Sequence, residues 1–200
     1  MPSPSRRLDS VCVYCASSNA ADPDFLAAAA ELGTTIAHEG LRLVYGGGGV
    51  GLMGACASAA HAAGGRVLGV IPEFLTAAER QLATVETVVV SSMHERKMMM
   101  FEAADAFAIL PGGIGTLEEV IELLSWRRLG LHAKPIVFLD AKGFWRPLFE
   151  VFDHILAQNL VPPEFRETWR AVDRVEDVIP ALRSMPTLAF TTSPGVAEMT

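Results

Sequence analysis

Positive charge is scarce in this 200-residue sequence: 16 lysines and arginines stand against 23 aspartates and glutamates, a formal net charge of -7 at pH 7. That balance excludes a chain that wraps nucleic acid or coats an anionic membrane. Any anion it binds must be held by a local arrangement of donors. Cysteine is scarcer still. Cys12, Cys15 and Cys56 are few and odd in number, which suits reduced thiols in the cytoplasm. Cys12 and Cys15 form a C-x-x-C, but inside the apolar run VCVYC and not at a helix start, where a thiolate would be stabilised. They read as small buried hydrophobes. No apolar run approaches the roughly 20 residues of a membrane span, and MPSPSRRLDS contains no signal core. Neither a Gly-Lys-Ser/Thr phosphate loop nor a G-x-S-x-G elbow occurs, and the five histidines lack metal-ligand spacing.

Apolar residues, by contrast, make up half of the sequence, enough for a sizeable core. Strand-like runs at 10–16, 41–45, 66–71, 86–90, 105–110 and 135–140 alternate with helical segments. The first helix has Asp22 as cap, Pro23 at its first position and Gly40 as its stop. Further helices are expected over 52–63, from Ser91 or Ser92 onward, over 117–129 and over about 144–158. The segment from Pro72 to Val85 has no strong period and reads as a functional loop, while the C-terminal region is expected to form short helices. Strands rich in Val, Ile and Leu on both faces imply an α/β fold: a Rossmann-like doubly wound parallel sheet of about six or seven strands, with helices on both faces. The expected organisation is a single nucleotide-binding domain over 10–185, between tails at 1–9 and 186–200.

Two glycine-rich corners follow strands. GGGGVGLMG contains G-x-G-x-x-G in two registers and, with Glu73 about 20 residues on, matches a dinucleotide fingerprint. That fingerprint usually closes the first strand–helix unit, and here it closes the second. PGGIGT, ahead of a second helix, offers backbone N–H groups and the Thr116 hydroxyl to a phosphate. A tight turn that needs glycine for positive φ would use the same residues. Two such corners on one sheet edge point to one mononucleotide-sized ligand.

Charged residues accompany the corners. Arg96 and Lys97 in MHERK fall near a helix start, where cations oppose the helix dipole, so a ligand anion or a carboxylate partner would explain them. The Arg96 fork suits a phosphate or carboxylate, whereas Lys97 also fits a solvated face. Glu118 and Glu119 lie in a first helical turn, where carboxylates are favourable in any case. One beside a sugar phosphate could stabilise the positive charge that develops on ribose as an N-glycosidic bond breaks.

Together GGGGVGLMG, MHERK, PGGIGTLEE and SWRRLGLHAKP resemble the Lonely Guy family of cytokinin-activating phosphoribohydrolases, over about residues 10–185. The resemblance implies hydrolysis of cytokinin riboside 5′-monophosphates to free base and ribose 5-phosphate, while RQLATVETV, in the region expected to touch the base, departs from the family pattern and leaves plain AMP open as a substrate. It implies no cofactor and no metal, and a homodimer of Rossmann-like subunits. It assigns Arg96 and Glu119 as the catalytic pair. Glu79, Lys97, Gly113, Ile114, Gly115, Thr116, Leu117, Glu118 and Ser125 match substrate-binding positions, with Gly46, Gly47, Gly48 and Gly49 lining the same pocket. Two other readings stand beside it. One is a non-catalytic nucleotide or cofactor carrier on the same scaffold; the other is an NAD-dependent oxidoreductase, carried by the Gly46–Gly51 fingerprint.

Overall fold

The computed structural model describes residues 7–77 and 79–186. The tails expected at 1–9 and 186–200 lie outside these apart from residues 7–9 and 186. Seven parallel strands form one sheet: β1 Ser10–Tyr14, β2 Arg42–Tyr45, β3 Arg66–Pro72, β4 Glu86–Val90, β5 Ala106–Ile109, β6 Ile136–Leu139 and β7 Arg170–Val172. Their order is β4-β3-β2-β1-β5-β6-β7. The chain winds outward from β1 in one direction, then restarts at β5 and winds outward in the other. The connecting helices are α1 Pro23–His38, α2 Gly51–Ala62, α3 Met93–Glu102, α4 Ile114–Arg128, α5 Arg146–Ala157 and α6 Val178–Ser184.

Alternation along the strands builds two cores. Val11, Val13, Leu43 and Tyr45 pack with Leu32, Ile36, Leu52 and Leu182 on the face covered by α1, α2 and α6. Cys12, Tyr14, Val44, Phe107 and Ile109 pack with Met100, Val120, Leu123 and Phe152 on the face covered by α3, α4 and α5. Successive strand residues point to opposite faces. Cys12 therefore belongs to one core and Cys15 to the other, and all three cysteines are buried and free.

Local signals explain most boundaries. Asp22 caps α1 by accepting the Asp24 N–H at 2.9 Å, Pro23 opens the helix, and Gly40 follows its end with φ +70°. Two boundaries differ from expectation. α4 starts at Ile114, three residues early, which carries the helix N-terminus into the glycine corner. In the C-terminal region expected to be helical, Arg170–Val172 instead forms β7, paired with β6. Three residues are too few to show a period.

α1 and α2 meet through glycine. A Cβ on Gly33 would overlap the backbone carbonyl of Cys56 and stand 3.2 Å from the Ala60 nitrogen. Backbone cannot turn aside as a side chain can. Gly33→Ala is expected to cost about 1–3 kcal/mol through overpacking, read as a fall of several degrees in Tm; an unchanged Tm would show that the helices separate freely.

Candidate active site

Arg96 is the buried cation of this edge of the sheet. A capping box sets the start of α3: the Ser92 side chain accepts the Glu95 N–H at 3.1 Å, and the Glu95 carboxylate accepts the Ser91 N–H at 2.8 Å. Arg96 then follows on a fixed helical path into the interior, where it is 5% exposed. Its Nε donates to the Val70 carbonyl at 3.2 Å and its Nη2 to the Gly46 carbonyl at 2.8 Å. These carbonyls belong to β3 and to the residue just after β2, so main-chain oxygens of two neighbouring strands solvate the guanidinium. A Cβ at Gly46 would overlap Nη2, which makes the first residue of the glycine corner a condition for Arg96 to be there.

Glu119 approaches from α4. Its Oε1 lies 3.9 Å from Arg96 Nη1, and the residue is 8% exposed. Burial raises its pKa to about 7, against the opposing pull of Arg96. Half of these carboxyls are therefore ionised near neutral pH, the condition that suits a general base.

The pair opens onto a cavity of about 400 Å³ beyond the carboxyl ends of the strands. Gly113, Ile114, Gly115, Thr116, Glu118 and Glu119 form one wall. Cys15, Ala16, Ser17 and Ser18, after β1, form another. Met53, Leu75 and Met93 supply an apolar end, with Glu79 beside them. Glu79 Oε2 is buried and meets no hydrogen-bond partner in the described structure. Lys97 stands outside this lining, paired with Glu118 and, at 3.0 Å, with Glu122. Leu117 and Ser125 lie along α4 in a neighbouring groove with Ile114, Ile121 and Trp126. Gly46, Gly47, Gly48 and Gly49 sit one layer behind the cavity: Gly46 holds Arg96, a Cβ on Gly48 would stand 2.7 Å from Glu79 Oε2, and the Gly49 N–H donates to the Glu79 carbonyl at 2.8 Å. No motif marks the β1 loop in the sequence. Its signal was topological, because β1 flanks the point where the winding reverses.

The two glycine corners differ in kind. In the first, Gly47 and Gly51 have positive φ, as a tight turn requires. Three donors there are engaged within the protein: the Gly49 N–H bonds the Glu79 carbonyl at 2.8 Å, the Gly51 N–H bonds Asn19 Oδ1 at 2.9 Å and the Met53 N–H bonds the Ala16 carbonyl at 3.2 Å. In the second, none of Gly112, Gly113 and Gly115 has positive φ, and a Cβ at Gly113 or Gly115 would meet nothing within 4 Å. The turn does not need glycine at those two positions; the room is left for something else. The N–H groups of Ile114, Gly115 and Thr116 open α4 without an acceptor among the described residues, and Gly113 supplies no side-chain cap. This is the helix N-terminus equipped for an anion.

Comparison with known proteins agrees with the geometry. The sequence model of a family described as possible lysine decarboxylase matches residues 53–182. A cytokinin riboside 5′-monophosphate phosphoribohydrolase of Rhodococcoides fascians is 42% identical over 177 residues, covering 88% of this chain and 89% of that protein. A protein of the same activity from Arabidopsis thaliana is 42% identical over 161 residues, 80% of this chain and 74% of its own. Among solved structures, the molybdenum cofactor carrier protein of Chlamydomonas reinhardtii has a TM-score of 0.68 at 22% identity, over 90% of this chain and 98% of that one. The molybdenum cofactor binding protein of Rippkaea orientalis gives 0.65 at 24% identity, over 86% and 94%. At those identities the likeness is one of fold alone. Sequence identity over most of both chains decides the relationship: the protein belongs to the Lonely Guy family.

Proposed function

We propose that this chain is a nucleoside 5′-monophosphate N-glycosidase that hydrolyses cytokinin riboside 5′-monophosphates, and AMP as well, to free base and ribose 5-phosphate. The observation that carries the reading is a carboxylate held largely dehydrated beside a buried guanidinium, one helical turn from an uncapped helix N-terminus. The 5′-phosphate sits against Ile114–Thr116, which brings the anomeric carbon toward Glu119. As the bond from C1′ to the base nitrogen breaks, positive charge on the ribose is stabilised by the Glu119 carboxylate. Glu119 takes one proton from the attacking water, whose oxygen bonds to C1′; the C1′–N bond breaks with its electron pair on the base, and that proton passes through solvent to the base nitrogen, which returns Glu119 to the carboxylate. Arg96 fixes the carboxylate and lowers its proton affinity.

A carrier needs the cavity but gains nothing from a carboxylate kept at the cost of dehydration. A decarboxylase using pyridoxal phosphate needs a lysine for its imine, and the residues lining this cavity include none. The homodimer fits the apolar groove on α4, where Ile114 and Ile121 are 84% and 45% exposed and Ile114 also borders the cavity. Three buried, unpaired thiols suit the cytoplasm. Among the described residues no helix is long and apolar enough to cross a membrane.

Incubation with isopentenyladenosine 5′-monophosphate or AMP should release base and ribose 5-phosphate in equal amounts. Glu119→Gln and Arg96→Ala should each lower kcat by roughly 100-fold or more; full activity in both would remove the pair from the mechanism. Because the carboxyl must be ionised to act, kcat/KM of the unaltered enzyme should fall tenfold per pH unit below about 7. A profile flat down to pH 5 would contradict this. The same shift opposes folding. The folded state binds the proton more tightly than the unfolded one, so stability declines as pH rises from about 4.5 to about 7. Glu119→Gln should therefore raise Tm at pH 8 while removing activity, and a lower Tm would show the carboxylate to be structural. Ile121→Glu should convert the dimer to monomers in sedimentation; an unaltered chain that is monomeric at micromolar concentration would overturn the dimer.

A further inference from the structure

The loop after β1 brings donors into the cavity that nothing in the protein uses. β1 and β5 are neighbours whose chains leave in opposite directions, and an open α/β sheet receives its ligand in the crevice between such strands. The loop is fixed on both sides. The Ala16 N–H donates to the Pro111 carbonyl at 3.1 Å, tying it to the second glycine corner. The Ala16 carbonyl and Asn19 Oδ1 accept from Met53 and Gly51 at the start of α2. Ser18 Oγ accepts the Ala20 N–H at 3.2 Å, so that hydroxyl shapes the loop itself. Ser17 differs: it is half-buried, it lines the cavity, and among the described residues neither its hydroxyl nor the N–H groups of Ser17 and Ser18 have a partner.

Charge explains why such donors would be needed. The cavity wall holds Glu79, Glu118 and Glu119 against the single cation Arg96, which is turned to Glu119 and two carbonyls. A phosphate dianion entering this space meets no lysine or second arginine in the lining, and must be held by neutral hydrogen-bond donors. The three free N–H groups of α4 and the Thr116 hydroxyl reach it from one side only. Its terminal oxygens have further lone pairs directed away from the helix.

We propose that the β1 loop is the opposing half of the phosphate site, with the Ser17 hydroxyl and the N–H groups of Ser17 and Ser18 closing on the phosphate oxygens that α4 leaves unbonded. This assignment rests on the nucleotide reading above. It makes the site a clamp between the two strands at the switch point. The first glycine corner meanwhile supports Arg96 through the Gly46 carbonyl.

Calorimetric titration with two products, ribose 5-phosphate and adenine, tests it on the intact chain. Ser17→Ala should weaken ribose 5-phosphate by roughly tenfold, the worth of one hydrogen bond to a charged group. Ser17→Asp, which sets a carboxylate against the phosphate, should weaken it much further. Both variants should bind adenine within twofold of the unaltered chain and keep its Tm. Ribose 5-phosphate affinity within twofold in both variants, or a parallel loss of adenine affinity, overturns the assignment. If the nucleotides still yield base at full rate with Ser17→Asp, the hydrolase reading stands and the role of Ser17 falls. An unaltered chain that binds adenine but not ribose 5-phosphate overturns the nucleotide reading, and the inference with it.

Discussion

A guanidinium buried among backbone carbonyls is the constraint on which this molecule turns. Dehydrating Arg96 would be prohibitive without the acceptors from Val70 and Gly46. Those acceptors lie side by side because β2 and β3 are parallel neighbours in which Tyr45 pairs with Gly69, so that the next residue of each, Gly46 and Val70, supplies a carbonyl. The capping box at Ser92 fixes the angle of α3, the bare Cα of Gly46 makes space for Nη2, and β2 and β3 deliver the carbonyls. With that cation in place, a carboxylate can be buried 3.9 Å away and remain partly ionised at neutral pH. Each element does little alone, and together they set the proton affinity of one side chain.

Sheet class, helix order and the first helix cap were legible in the sequence because they rest on local rules: hydrophobic period, the Asp22-Pro23 start and the Gly40 stop. β7 was not, since three residues carry no period and its place beside β6 is decided by tertiary pairing. The early start of α4 was hidden as well. Two glycines in the run Gly113–Thr116 argue against helix by propensity, yet the structure begins the helix inside them.

The site was legible in part. Glycine spacing marked both corners without saying which of their donors other loops occupy. That depends on Asn19 and Ala16, more than 30 residues upstream of the groups they occupy. The G-x-G-x-x-G pattern thus describes the shape of the backbone, whereas binding depends on whether neighbouring loops have already taken its N–H groups. Arg96 and Glu119 could be picked out by chemistry, but their burial, which gives the carboxyl its pKa, comes only from packing.

The segment between Pro72 and Val85 touches the first corner through the bond from Gly49 to the Glu79 carbonyl, and lends Leu75 and Glu79 to the cavity. Among the described residues none of this segment bonds to Arg96. Exchange of Leu75 would therefore alter the shape of the cavity without touching the acceptors that hold Arg96, whereas Glu79, whose charge helps Glu119 keep its proton, is tied to both cavity and carboxyl.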